Sequence, residues 1–206
     1  MLILLLFTNP ILYLMVAVSI LFAFTVHEYS HAQIAYFLGD PTAKYQGRLT
    51  LNPLAHFDPI FTTLIFLFGI GAGKPVPFNP YNLRNQKWGP ALVGLAGPAS
   101  NFLMALIIGL ALRFLQISNA GFITFFSVFV WINIILCIFN LLPIPPLDGS
   151  HILFAVLPPS LENIKVFLLQ SGFLPIIIAI FFMFYVGFPF ICEPLFVLIT
   201  GTRLLF

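Results

Sequence analysis

The segment Val26-His27-Glu28-Tyr29-Ser30-His31-Ala32 holds the residues best suited to chemistry. His27 and His31 are four apart, so on a helix they lie one turn apart on one face. Two imidazoles placed that way can hold one zinc ion, and Glu28, beside the first, is placed to act as a base toward water. From Leu2 to Val26 the only polar side chains are Thr8, Asn9, Tyr13, Ser19 and Thr25. A carboxylate and two imidazoles thus close an apolar helix, where ionisable groups are costly and rarely incidental. The motif also arises by chance on soluble helices. Here, however, the chain has four His and six acidic residues in all, and three of those ten fall within five consecutive positions.

A catalytic zinc usually takes three protein ligands and keeps one position open. Asp148 is the strongest candidate for the third: it lies between apolar segments, just after a proline-broken helix end. The alternative is an Asp-Gly turn facing water. His56 and His151 read as loop or interfacial residues.

The elements that must position these groups are membrane helices. The 206 residues are 61% hydrophobic and 7% charged, a balance no soluble globular domain has. Residues 1–206 read as one integral membrane domain, with a core at about 10–155 and C-terminal helices at about 160–206. The net charge of +2 gives no reason to expect nucleic acid as a partner. Cys137 and Cys192 lie in apolar segments and read as core packing. The N-terminus lacks a basic region and is not expected to be a cleaved signal peptide.

The first span is expected from about Pro10 to Leu38, ended by Gly39-Asp40-Pro41. His27 is 17 steps into it, roughly 25 Å, so the motif sits near one end. Lys44 to Leu51 alternates polar and apolar residues and predicts a short β-strand. Phe57 to Gly73 is apolar but marginal in length for a span. Further spans are expected at about Ala91–Leu115 and Phe122–Leu142, the latter stopped by Pro143, Pro145 and Pro146. Leu174–Val186 reads as another, and Phe190–Phe206 as one more, partial or full. The fold class is therefore an all-α polytopic membrane protein. It has a three-helix catalytic core, C-terminal helices, and a short strand and re-entrant segment on the cytoplasmic side.

His27-Glu28-Tyr29-Ser30-His31, together with Asn140-Leu141-Leu142-Pro143-Ile144-Pro145-Pro146-Leu147-Asp148-Gly149, resembles the two motifs of the site-2 protease family of intramembrane zinc metalloproteases. Asn140, Pro143, Pro145, Leu147, Asp148 and Gly149 match the second, N-x-x-P-x-P-x-L-D-G. Gly97-Pro98-Ala99-Ser100-Asn101 is similar to the family's middle core helix. The resemblance covers about residues 10–155. It implies Asp148 as third ligand, Glu28 as catalytic base, and a transmembrane segment of another protein as substrate. The sequence departs from some members in having no PDZ or CBS domain, so any such regulation is absent or comes from a membrane partner.

Topology gives an independent check. If Phe57–Gly73 crossed the bilayer, Asp148 would emerge opposite the histidines. If it dips in and returns, both motifs share one side with Lys44, Arg48, Lys74, Arg84, Lys87 and Lys165, leaving Arg113 opposite. The positive-inside rule makes that side cytoplasmic, which points to the plasma membrane with the site near its cytoplasmic face. The expected function is peptide-bond hydrolysis within or beside transmembrane segments. Asn140 is a candidate to hydrogen-bond substrate or oxyanion, and equally a satisfied helix end. Asn101 serves the site or, more simply, helix packing. An exposed edge at Lys44–Leu51 would receive unwound substrate by strand addition. The rival readings are a small ion or solute transporter using Glu28 and Asp148, and a non-catalytic membrane scaffold.

Overall fold

The computed structural model describes residues 2–68, 71, 73–172 and 174–203. Its helices are α1 (Leu2–Thr8), α2 (Pro10–Phe37), α3 (Thr42–Tyr45), α4 (Phe61–Phe68), α5 (Gly89–Phe114), α6 (Ala120–Asn140), α7 (Gly149–Val156) and α8 (Glu162–Gln170). The last, α9 (Leu174–Thr200), completes a set of four, with α2, α5 and α6, that are long and apolar enough to cross a membrane.

Local chemistry sets their ends. The Asn9 side chain accepts from Leu12 N at 3.1 Å, and Pro10 opens α2 with φ already helical. Asn119 caps α6 in the same way through Phe122 N, at 3.1 Å. Gly39 ends α2 at φ +107, and a Cβ there would lie 3.2 Å from Asn82 O. Only glycine makes that turn freely.

Helices α2, α5 and α6 pack together, and α9 leans on the far half of α5. A Cβ on Gly109 would overlap Ile199 of α9, so the missing side chain sets their separation. Ala105, Val130, Ile134, Met183, Cys192, Phe196 and Ile199 form the buried core there. Cys137 and Cys192 are buried and unpaired, as packing residues should be. The expected division of the C-terminus into two spans is not what the chain does. It runs as one helix from Leu174 to Thr200, taking Pro189 within a π-helical stretch, Met183–Cys192, instead of breaking there. Residues 204–206 of the second expected span lie outside the described residues.

The strand expected at Lys44–Leu51 is absent, and no strand occurs among the described residues. Asp40 explains why. Its carboxylate accepts from Thr42 N at 3.1 Å and Thr42 Oγ1 at 2.5 Å, which starts a helical turn over residues 42–45. Gly47, at φ +68, then turns the chain, and Arg48 is buried rather than alternating outward. Alternation alone could not outweigh a local cap and a left-handed glycine.

Among its described residues, the segment Phe57–Gly73 contains the eight-residue α4 as its one helix, about 12 Å long. Residues 69, 70 and 72 lie outside the described residues. Its two flanks meet: Lys74 N donates to His56 O at 3.0 Å. Midway, Tyr13 Oη donates to Phe66 O at 3.4 Å, so α4 lies far along α2. The segment therefore leaves and returns at one place, as the topological argument requires. With Cys137 and Cys192 replaced, cysteines at Lys44 and Arg84 should label from the same side of sealed vesicles and one at Arg113 from the other. Labelling of Lys44 and Arg84 from opposite sides would refute this path.

The returning loop is anchored at Asp40, which is wholly buried. Beyond Thr42, the carboxylate accepts from Asn79 N at 2.6 Å and Asn82 Nδ2 at 2.8 Å. Burial works against its charge. The hydrogen bonds from Thr42, Asn82 and Asn79 outweigh that and hold the carboxyl below its usual range. A lowered folded-state pKa means stability that is complete above the unfolded value, about 3.9, and lost as pH falls through the folded one. Asp40→Asn should cost about 1–3 kcal/mol near neutral pH and weaken the acid dependence below about pH 4. Thermal unfolding in detergent across pH measures both.

Candidate metal centre

His27, Glu28 and His31 lie on the last three turns of α2, 4%, 8% and 7% exposed. Helix α5 crosses them at Gly97, where a Cβ would lie 2.6 Å from His27 Nε2 and overlap His31 Nε2. Any side chain at 97 would occupy the space between the helices. Asp148 arrives from the end of α6. The chain leaves that helix through Pro143, Pro145 and Pro146 and re-enters helix at Gly149, whose Cβ would overlap the Leu141 and Leu142 carbonyls. Glycine there lets α7 fold back closely, and this aims Asp148 at the histidines.

The three side chains meet. His27 Nε2 and His31 Nε2 are 3.0 Å apart, and Asp148 Oδ2 is 3.1 Å and 3.3 Å from them. The other ring nitrogens decide the protonation of these. His27 Nδ1 is 2.6 Å from Asn101 Oδ1. The Asn101 amide is oriented by its own bonds, from Nδ2 to Ala23 O at 3.1 Å and to Asn133 Oδ1 at 2.8 Å, so its oxygen faces the imidazole. His31 Nδ1 is 2.7 Å from Val93 O, also an acceptor. Both Nδ1 atoms therefore donate, and the neutral rings present bare Nε2 lone pairs inward.

Two ring nitrogens and a carboxylate oxygen thus converge to within 3.3 Å of one another. Asp148 Oδ2 is buried without a hydrogen-bond partner. Such a set is arranged to hold a cation. The edges of the triangle, 3.0–3.3 Å, are close to the edge of about 3.4 Å for a tetrahedron of ligands around 2.1 Å from zinc. Two nitrogens and one carboxylate oxygen are also a donor set that zinc favours. The residues fit the metal.

Glu28 makes none of the contacts within this triangle. Its Oε2 accepts from Val76 N at 2.9 Å, on the limb of the re-entrant segment that returns past the site. Asn140 sits at the last residue of α6, its amide donating to Leu136 O at 3.0 Å. His56 and His151 lie outside the cluster. His56 is buried with Nε2 2.9 Å from Thr50 O, and His151 sets its ring against Phe78 at 5.5 Å.

Sequence reasoning left Asn101 between two roles and leaned toward packing. The structure gives it both, joining α2, α5 and α6 while fixing the His27 tautomer. Asn133 was missed. The signal available for it was a single amide within the apolar run of residues 128–139; that side chain is completely buried. Replacing Asn101 with Leu should lower zinc affinity about 10–100-fold while leaving the helices assembled. Gly97→Val should abolish zinc binding outright. Metal content and competition with a fluorescent chelator measure both; undiminished affinity in Asn101→Leu would remove its role at the ring.

Comparison with known proteins follows this geometry. The model of Peptidase family M50 matches residues 110–184. A Bacillus subtilis protein named "Putative zinc metalloprotease YwhC" is 40% identical over 153 residues, 70% of each chain. Rip2 of Mycolicibacterium smegmatis, named in the same terms, is 32% identical over 174 residues, 81% of this chain and 66% of its own. Rip2 of Mycobacterium tuberculosis is 31% identical over 157 residues, 73% of this chain and 58% of its own. No solved structure matches the chain significantly. The aligned stretch shared with YwhC is long enough on both sides to settle the relationship: this chain is an integral membrane protein that belongs to peptidase family M50.

Proposed function

We propose that this M50 peptidase is a zinc-dependent intramembrane endopeptidase. On this reading it cleaves membrane-protein substrates within or next to their transmembrane segments. The observation that carries the reading is the inward convergence of His27 Nε2, His31 Nε2 and Asp148 Oδ2, with a buried carboxylate, Glu28, next in sequence to the first of them. His27, His31 and Asp148 would hold one zinc. A zinc ion with an open position supplies Lewis acidity and makes hydroxide available near neutral pH.

The chain's own residues supply the rest. Asn101 and Val93 orient the imidazoles. Glu28 accepts the proton of the attacking water and returns it to the leaving amine. Its Oε2 is engaged by Val76 N, so Oε1 is the oxygen left for that work. The three side chains sit near one end of α2, which shortens the path for water. Asn140 has a second amide hydrogen beyond the one given to Leu136 O, and that hydrogen is its means of contacting substrate.

The side of the membrane follows from charge. Six of the eight cations, Lys44, Arg48, Lys74, Arg84, Lys87 and Lys165, lie on segments joined at the metal-site end. Arg113 and Arg203 lie at the opposite end, where Arg113 donates to Leu198 O. The positive-inside rule supports a site near the cytoplasmic face, and on this reading the membrane is the plasma membrane. The partners are then the lipid bilayer, a transmembrane segment as substrate, and a membrane protein for regulation.

The decisive test separates base from ligand. Glu28→Gln should retain one zinc per chain and lose cleavage of a transmembrane reporter by about 10²–10⁴-fold. His27→Ala should lose both. Cleavage at the wild-type rate by purified Glu28→Gln protein would overturn the hydrolytic reading. A transporter would instead hold no stoichiometric zinc.

A further inference from the structure

Arg48 is 5% exposed, in a segment that the sequence reading assigned to a strand. Its guanidinium donates to Lys74 O, and the same Nη2 lies 3.4 Å from His56 Nδ1. His56 Nε2 faces Thr50 O at 2.9 Å. A carbonyl can only accept, so Nε2 carries the proton and Nδ1 turns its lone pair to the guanidinium. His56 O in turn accepts from Lys74 N at 3.0 Å. Both backbone groups of Lys74 are thus fixed by one unit of two side chains and a carbonyl. Two residues on, Val76 N donates to Glu28 Oε2 at 2.9 Å.

Burying a guanidinium without need is costly, and here its Nε finds no partner at all. Burial works against its charge, and the Glu28 carboxylate restores part of it. A simple packing role does not explain a cation placed there. Lys74-Pro75-Val76 is short, and prolines at 75 and 77 restrict its backbone. Fixing residue 74 at both its N–H and its C=O therefore fixes where the Val76 N–H points.

We propose that Arg48, with His56, is a positioning residue for the Glu28 carboxylate, acting through the backbone of Lys74 and the Val76 N–H. The unit holds Oε2 and leaves Oε1 directed to water. Loss of the guanidinium lets the limb drift, and Glu28 samples orientations that cannot take the proton. This rests on the intramembrane protease reading, because the readout is cleavage.

The test is a double-mutant cycle in the purified, zinc-loaded protein with a transmembrane reporter. Arg48→Gln should lower kcat about 10–100-fold with KM within about twofold and zinc stoichiometry unchanged, the scale of a misplaced catalytic group. Arg48→Lys, which keeps a donor for Lys74 O, should recover most of that loss. Val76→Pro removes the N–H itself and should lower kcat similarly. On the Val76→Pro background, Arg48→Gln should add less than about threefold, because residues that act in series are not additive. Full multiplication of the two losses would overturn the proposal, as would a fall in zinc content or a rise in KM in place of the kcat loss. If Val76→Pro does not fold, the comparison of Gln with Lys at position 48 decides alone: equal losses overturn the proposal. Wild-type protein that fails to cleave would instead defeat the protease reading, a separate result.

Discussion

Polar groups inside an apolar helical bundle must spend every hydrogen on an acceptor, because no water is at hand to take it. That constraint organises this molecule. Asn133 takes one hydrogen of Asn101, Ala23 O takes the other, and the Asn101 oxygen is left to face His27. Val93 O does the same for His31. Each outer hydrogen bond keeps the proton of the neutral ring on Nδ1 and so leaves its Nε2 lone pair facing inward. The inward lone pairs are thus a consequence of satisfying the outer ones, and the helices that supply those partners, α2, α5 and α6, are the ones that pack together. The bonds that orient the site are thus also bonds between the helices.

Close approach is the second requirement, and it is met by omission. Gly97 leaves out the side chain that would fill the metal's place, Gly149 the one that would keep α7 off the end of α6, and Gly109 the one that would hold α9 away from α5. Side-chain excluded volume is the coordinate along which this fold is tuned. Small residues do here what hydrophobic collapse does in water, since lipid gives apolar surfaces no reason to leave it.

The parts of the fold legible in the sequence were those set by long-range averages or by rare residue types. Three apolar segments announced themselves by length and hydropathy, while the fourth helix was read as two pieces. His27, Glu28, His31 and Asp148 stood out because ionisable groups are scarce in this chain. The return of the chain after residues 57–73 to the place it left was expected from parity, marginal length and like-charged flanks, and the Lys74–His56 bond agrees with it. What misled was short-range pattern. Lys44 to Leu51 alternates like a strand, but a cap from Asp40 and the turn at Gly47 decide its shape, and both act through single residues that a period cannot register. Asn101 and Asn133 were hard to assign for a related reason. A lone amide in a membrane helix says that a partner exists, not which helix carries it.

The returning limb, Lys74 to Asn79, shows how far this economy of hydrogen bonds extends. Pro75 and Pro77 have no N–H to offer. Three donors of the limb are directed at the chain's own acceptors: Lys74 at His56 O, Val76 at Glu28 and Asn79 at Asp40. An extended segment at membrane depth would ordinarily present unpaired donors to lipid along one edge. Proline at 75 and 77 removes two such donors, and Lys74 and Val76 commit two more to the protein. The limb therefore needs no neighbouring strand to be stable where it lies. Its three anchors are a loop carbonyl, the candidate base and the carboxylate that closes α2. The membrane path of the chain and the orientation of Glu28 are thus set by the same few hydrogen bonds.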